Sequence, residues 1–586
     1  MTFPFSQTGS YAMQPFQKSQ KMFFSVISRV LGVSFSATVL TIASFISLVG
    51  QENLDASRLI TEGVVFREIG PAIMGGRISD VAVNAENPAN IFVGFATAGL
   101  WGTTSDGMAW ESKFDNQITS SIGAVTMDPS NPNVIWVGTG EPQNRQSSPY
   151  GYGVFKSVDG GENWISVGLS ETRHIARIIV HPQDPNVVYV AAVGHLWGPN
   201  EERGVFKTTD GGENWEKVFY IDEDSGAIDL VMSPEDPNTL FAAMYQRRRT
   251  AFGFSASGSG SGIYRSYDGG ENWEELSEGL PQGDKGRIGI DIYQRDGDLL
   301  YATVESQEGD GRGLYRTRDR GDTWEMVDTR NPRPMYFSMV RIDPNNPERI
   351  YLGGVQLSIS DDGGRTWWDG DAAEGIHVDH HALWINPDNS DHVILGSDGG
   401  LSTTRDGGQN WRMYDNMPVG QFYEIGFDMQ DPYHVCGGLQ DNSSWCAPNQ
   451  TLNNYGVRNS DWEDVSGGDG FYNQIDPTNS NIVYTESQGG NISRLDRSTG
   501  SATRIRPVAR STESDEDRSY DFNWNAPIVV SQHDPNTVYI GANHLLRSRD
   551  QGMTWEEASP DLTRLIDRDT LEIMGRSLSE SHLSRN

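Results

Sequence analysis

The sequence predicts an all-β chain built as a β-propeller, and three observations carry that reading: a repeated Trp-closed hairpin motif, a repeated turn-and-strand unit, and no competing helical period. The hairpin motif is Ser/Thr-x-Asp-x-Gly-x-x-Trp, clearest in Ser157-Val158-Asp159-Gly160-Gly161-Glu162-Asn163-Trp164. It starts again at Thr208, Ser266, Thr317, Ser360, Thr404 and Ser548, and a degenerate copy, one residue short, runs from Thr104 to Trp110. Asp-Gly followed by Gly supplies the positive backbone angles of a tight turn. The Asp and Ser/Thr oxygens answer turn N–H groups that no strand reaches. The Trp is a large apolar plate suited to the space between packed sheets.

Upstream of each hairpin lies a turn feeding a strand, as in Asp128-Pro129-Ser130-Asn131-Pro132-Asn133 before Val134-Ile135-Trp136-Val137. Ten such units begin near Asn84, Asp128, His181, Ser233, Asp291, Asp343, Asn386, Asp428, Asp476 and His533. Strand, turn, strand, link, strand, hairpin, strand makes a four-stranded blade.

Along the chain, residues 1–50 read as a signal peptide or anchor. Lys18, Lys21 and Arg29 precede an apolar run over 30–49, and Met22 is an alternative start. A run near that length also suits an uncleaved membrane anchor, the single route to a membrane this chain offers. Export, to a secreted or periplasmic and cell-surface location, follows either way. Residues 51–63 form a linker. Trp spacings of 54, 51, 58, 51, 43 and 44 residues end at Trp411, which predicts a seven-bladed propeller over 64–418. Three further blades over 419–563 then begin a truncated second propeller, and 564–586 is an incomplete C-terminal segment. The competing reading is a single ten-bladed ring. A Gly/Ser-rich stretch, 250–262, reads as a flexible surface loop.

With 80 acidic and 45 basic residues the net charge is −35, so a phosphate-binding surface is not expected and nucleic acid is excluded as a partner. The two cysteines, Cys436 and Cys446, flank a turn ten positions apart. A disulfide is the favoured reading in an oxidising compartment, with two buried thiols as the alternative.

The hairpins resemble the Asp-box (BNR) repeats of bacterial sialidases, sortilin-type receptors and two-propeller xyloglucanases. A wider resemblance, to secreted bacterial BNR-repeat "glycosyl hydrolase" proteins with a sortilin N-terminal-like domain, rests on non-repeat motifs. These are Gly70-Pro71 with Gly75-Gly76-Arg77, Gly194-His195-Leu196-Trp197-Gly198, Tyr245-Gln246-Arg247-Arg248-Arg249, His377-Val378-Asp379-His380-His381 and Cys436-Gly437-Gly438-Leu439-Gln440-Asp441-Asn442.

In a propeller the loops entering the first strand of each blade converge on one face. Residues there that should meet are Arg77, Ser121, Arg173, His174, Arg287, Tyr336, Asp379, His380, His381, Tyr423, Asp469 and Asn525. Of these, Arg77, His174, Arg287, Tyr336, His380 and Tyr423 are the ligand-binding candidates. Glu141, Asp224 and Asp441 are further acids near that face. His377, Asp379 and His381 alternate along one strand face and form a candidate divalent-metal set, though steps of about 7 Å strain it; no other cofactor is implied.

Glycoside hydrolysis needs two carboxyl groups, and Asp469 with Asp379 is the candidate catalytic pair. Ser466-Gly467-Gly468-Asp469-Gly470-Phe471 is similar to a segment holding one catalytic Asp of two-propeller xyloglucanases. The position of the other acid falls in Gly94-Phe95-Ala96-Thr97-Ala98-Gly99, which has none.

The resemblance to sortilin implies a propeller that binds protein, peptide or glycan through its channel face. The resemblance to glycosyl hydrolases implies the alternative, hydrolysis by channel-face carboxylates. The triple arginine 247–249 reads as a solvated loop, and His195 with Trp197 as core packing or a sugar platform.

Overall fold

The computed structural model describes residues 66–577 apart from 146–147, 307–310, 369, 509–519 and 568–569; the leader and linker expectations lie outside these residues. Nine sheets of four antiparallel strands and one of three follow in chain order. Each is a meander in which strands pair in chain order, blade 4 carrying an inserted hairpin between its second strand, Leu240–Gln246, and its third, Gly262–Ser266. Blade 1 begins with the inner strand Ile78–Val83 and continues through Ile91–Phe95, Leu100–Thr103 and Glu111–Ser112. Inner strands of blades 2 to 7 are Ile122–Asp128, Ile175–Val180, Ser225–Met232, Lys285–Ile292, Met339–Asp343 and His380–Asn386.

The ring closes after seven blades. Each inner strand packs on the next, and the seventh, His380–Asn386, packs on the first, Ile78–Val83. Ile78, Ile91, Val93 and Phe95 share one core with Ala382, Ile394 and Leu401, so the closure is an apolar interface like those inside the ring. Arg405 adds an ion pair to Asp106 at 2.6 Å. Blades 8 to 10, with inner strands Phe422–Phe427, Gly470–Asp476 and Ile528–Val530, pack in sequence as an arc. A single ten-bladed ring is therefore not what forms.

The Trp-closed hairpins behave as their chemistry predicts. The Ser157 hydroxyl accepts from Gly161 N–H at 2.9 Å and donates to Asp159 at 2.8 Å, while Asp159 accepts the Asn163 amide at 2.9 Å. Gly160 and Gly161 hold φ of 74° and 86°, which a Cβ would oppose. The Trp164 indole donates to Lys113 of blade 1 at 2.7 Å, bolting one blade to its neighbour. The degenerate copy is not short. Thr103 takes the hydroxyl position, accepting from Gly107 at 3.3 Å, and Ser105 stands where the Asp would, accepting from Ala109 at 3.1 Å.

Acids on the inner strands fasten blade to blade from inside. Asp80 accepts from Val125 at 3.0 Å, Asp229 from Ile290 at 3.1 Å and Asp291 from Ile342 at 2.7 Å. Arg177 lies between Asp229 (3.1 Å) and Asp80 (3.9 Å). The axial cavity left beside these groups is about 40 Å³, room for about one water.

Two sequence expectations are corrected. The stretch 250–262 is not a free loop: strands Arg248–Thr250 and Gly253–Ser255 pair, and Phe254 and Ala256 are buried. Nor are the three arginines solvated. Arg247 is fully buried and donates to the carbonyls of Pro142 (2.9 Å) and Gln143 (3.2 Å). Local composition marks this stretch as polar, but long-range packing against the blade 2 loop decides its burial. After the arc, the short hairpin Glu572–Ile573 and Arg576–Ser577 returns to pack beside these strands.

Candidate functional site

The residues that meet at the mouth come from two kinds of segment, those just before an inner strand and those joining the second strand of a blade to its third. Arg77, the residue before the blade 1 inner strand, is at the centre and is 4% exposed. Its Nε donates to Asp398 Oδ1 and to the Tyr336 hydroxyl, both at 3.0 Å; its Nη2 donates to Asp441 Oδ2 at 2.5 Å, and its Nη1 reaches Glu141 Oε1 at 3.5 Å. The Tyr336 hydroxyl donates in turn to Asp398 Oδ2 at 3.0 Å, and His381 Nε2 meets Asp398 Oδ1 at 2.7 Å.

Blades 1, 2, 6, 7 and 8 thus share one hydrogen-bonded cluster, and Arg77–Asp441 ties the ring to the arc. Two more bonds reinforce that junction: Asn442 donates to the Asp398 carbonyl at 3.0 Å, and the Trp462 indole to the Ile69 carbonyl at 2.8 Å.

One guanidinium cannot neutralise three carboxylates, and the pKa values divide accordingly. Asp398, although buried, is held far below the ordinary carboxylate range by Arg77 and His381. Asp441 is pushed up to about 8, first by burial and then by the charges of Asp398, Asp469 and Asp379, against the pull of Arg77. Burial raises Glu141 to about 7. Asp398 is therefore the standing anion, and the cluster keeps protons on its other acids near neutrality.

Asp469, just before the blade 9 inner strand, is 6% exposed and accepts two donors. These are the Asp441 backbone N–H at 2.6 Å and Gln488 Nε2 at 2.9 Å. Asp379 and Asp441 lie at the rim, both in left-handed conformation, with φ of 68° and 62°. Non-glycine residues in that region cluster where a site over-determines the backbone. Tyr423 stacks on Phe471 at 4.5 Å, its phenol pushed far up by burial and by Asp469 and Asp441.

Among the other predicted residues, Arg287 braces the wall, donating to the Tyr336 carbonyl at 2.8 Å. His174 contacts the Glu141 carbonyl through Nδ1 at 2.9 Å, and burial lowers it to about 3, so it stays neutral and supports the loop carrying Glu141. Ser121 donates to Pro149 and accepts from Glu141 N–H at 3.1 Å. His380 is fully buried, lowered to about 3 by that burial, and is not at the rim cluster's hydrogen bonds. Arg173 lies beside Tyr150 and Tyr152 instead, 5.5 and 5.2 Å from their rings. Trp197 is 61% exposed with Arg249 at 5.8 Å, so its ring is at the surface and not in the core.

The metal set of His377, Asp379 and His381 does not assemble. The strand begins at His380, so alternation does not extend to His377 and Asp379. The His377 ring nitrogens face the carbonyls of Val378 (2.8 Å) and Asp441 (2.9 Å), while His381 is committed to Asp398. Among the described residues no three His, Cys, Asp or Glu side chains form a metal-ligand group. Cys436 and Cys446 face each other on adjacent strands of blade 8 and are joined as a disulfide.

Asp398 was not singled out by the sequence. It lies in Ser397-Asp398-Gly399-Gly400, a tetrapeptide that reads as one more hairpin turn. The usable signal was position, since it follows a second strand as Glu141 and Asp441 do.

A family model for sortilin (neurotensin receptor 3) matches residues 152–282, from the third strand of blade 2 through blade 4. Curated relatives include a probable oligoxyloglucan-reducing end-specific xyloglucanase of Neosartorya fischeri, 24% identical over 277 residues, covering 43% of this chain and 30% of that protein. A xyloglucanase, Xgh74A, of Acetivibrio thermocellus is 23% identical over 296 residues, covering 42% and 32%. The chain thus matches about a third of the length of these relatives. The solved GH74 xyloglucanase of Xanthomonas campestris superposes with a TM-score of 0.49 at 14% identity, over 85% of this chain and 81% of that one.

Proposed function

We propose that this propeller hydrolyses glycosidic bonds outside the cytoplasm, at the rim where the ring meets the arc. Asp441 gives a proton to the leaving oxygen, and Asp469 takes one from the attacking water. The observation that supports this most directly is the pairing itself. Asp441 and Asp469 come from adjacent blades, the Asp441 backbone N–H donates to the Asp469 carboxylate at 2.6 Å, and burial with neighbouring charge raises the Asp441 carboxyl to about 8. A raised acid beside a hydrogen-bonded carboxylate is the division of labour glycoside hydrolysis requires.

The xyloglucanases among the relatives favour catalysis over the recognition role that the sortilin resemblance implied. The acid absent from Gly94–Gly99 is consistent with Asp441 serving in its place, since Thr97 there contacts Gln421 of the arc at 3.4 Å. Asp379, the other half of the pair expected from sequence, has no hydrogen bond to Asp469 among the contacts of either residue and is the weaker choice of acid.

The full chain assayed on xyloglucan, cello-oligosaccharides and mixed-linkage glucans should release reducing ends. Asp469→Asn and Asp441→Asn should each lower kcat by about 10²–10⁴ while glycan binding persists. Wild-type turnover in Asp469→Asn would overturn the assignment. Glycan binding by the wild type without turnover on the whole panel would replace it with recognition alone.

A further inference from the structure

We infer that Trp524 stacks on a sugar unit beside Asp469, and that the rim therefore takes an extended glycan chain, longer than the two units flanking the cleaved bond. The sugar rests on the hydrolase reading above; the subsite comes from the placement of Trp524 and from what surrounds it.

The sequence holds 16 tryptophans, and those of the hairpins donate across to neighbouring segments and help seal blade against blade. Only Trp197 and Trp524 are mostly exposed, at 61% and 57%. Trp524 lies just before the blade 10 inner strand, among the segments that form the mouth, and meets the loop joining the second and third strands of blade 9. Gly489 of that loop donates its N–H to the Trp524 carbonyl at 3.0 Å. The residue before it, Gln488, donates to Asp469 at 2.9 Å. One peptide unit and one hydrogen bond thus connect the tryptophan to a group that fixes the Asp469 carboxylate.

The exposure is not fraying, because the backbone on both sides of the indole is pinned. Glu486 is 0% exposed, and its Oε1 accepts the N–H of Ala526 at 3.1 Å and that of Gly490 at 3.2 Å. Arg506 donates to the Gly489 carbonyl at 3.2 Å. Gly490, with φ of 72°, brings its turn down onto Phe522, which a Cβ there would meet at 2.4 Å. A loop fastened this way still gives up the burial that stabilises the other tryptophans.

The surroundings favour one kind of occupant. Asp521, Asn523, Asn525 and Gln488 flank the indole, and Asn525 Oδ1 is a buried acceptor that meets no donor. An apolar protein surface or a lipid would call for a contiguous apolar patch. A single plate among carboxamides suits a pyranose ring, which lays a C–H face on the indole and offers hydroxyls at its edge to donate and accept.

Calorimetry on the full-length Asp469→Asn protein tests this with cellobiose, cellotetraose and cellohexaose. Affinity should rise with chain length. Trp524→Ala in the same background should remove that rise and weaken the hexaose about tenfold. Trp524→Phe keeps a stacking plane and should hold most of the gain. Tyr267→Ala, at an exposed aromatic on an outer hairpin, is the control and should change nothing. In the active enzyme, Trp524→Ala should raise KM for the hexaose more than it lowers kcat, as expected where binding is lost from ground and transition states alike.

Hexaose affinity within about twofold of the parent after Trp524→Ala, a loss of the same size at every chain length, or an equal loss in Tyr267→Ala overturns the inference. Trp524-dependent gain with chain length, but no turnover by the wild type, defeats the hydrolase reading alone. Turnover of the hexaose with KM unmoved in Trp524→Ala defeats this inference alone. Neither binding nor turnover of any glycan overturns both.

Discussion

At Arg77 a single guanidinium holds Asp398, Asp441 and Glu141 in place, and its removal leaves buried charge uncompensated. Arg77→Ala should cost about 3–5 kcal/mol, read by denaturant titration. Arg77→Lys keeps the charge but loses the planar fork, and should fall between the two. A lysine variant as stable as wild type would show that charge alone suffices. The cluster also sets a pH dependence with two limbs. Asp398, depressed in the fold, adds stability that is present above about pH 4 and lost as pH falls. Asp441, raised to about 8, keeps a proton in the native state that the unfolded chain has released above about pH 4. Its contribution therefore declines as pH rises through that window, and Glu141, raised to about 7, acts the same way. The Tm of wild type should fall between pH 5 and 8 more steeply than that of Asp441→Asn; parallel curves would sink this assignment.

At the scale of the element, the Trp-closed hairpin is a local device, complete within eight residues, and that is why it was legible in sequence. Ser157 offers one oxygen to the N–H groups of Asp159 and Gly161, the second of them buried. Ser157→Ala should cost about 1–3 kcal/mol, the penalty of stranding those donors, seen as a lower Tm with turnover untouched. Loss of turnover at full stability would contradict the purely structural role given to the hairpins. Positions fixed by long-range partners were not legible in the same way. Arg247 reads as surface until the blade 2 loop, 105 residues away, is seen to wrap its guanidinium. Asp398 hides inside turn-like composition because its value comes from Arg77, 321 positions distant. The alternation argument failed at His377 for a related reason: it presumes a strand, and the backbone turns at Asp379 before the strand begins.

For the whole molecule, the count of blades followed from the Trp spacing, whereas the site did not, because it is made by closure. Bringing blade 7 onto blade 1 sets Asp398 against Arg77, and the arc then adds Asp441. The two bodies are not equally sealed. Every ring blade is covered on both faces by neighbours, but in the arc Ile425, Phe427 and Val529 of the inner strands are 61%, 64% and 56% exposed. Apolar burial is the main stabilising term, so the arc should open first. Amides of Phe422–Phe427 should exchange with solvent faster than those of Ile78–Val83, and calorimetry should resolve a lower transition for the arc. Because Arg77–Asp441 bridges the two, Arg77→Ala should lower both transitions, whereas the arc-confined Asp469→Asn should move only the lower one. One cooperative transition with equal protection in both strands would mean that arc and ring fold as a unit, and that the rim between them is as rigid as the core.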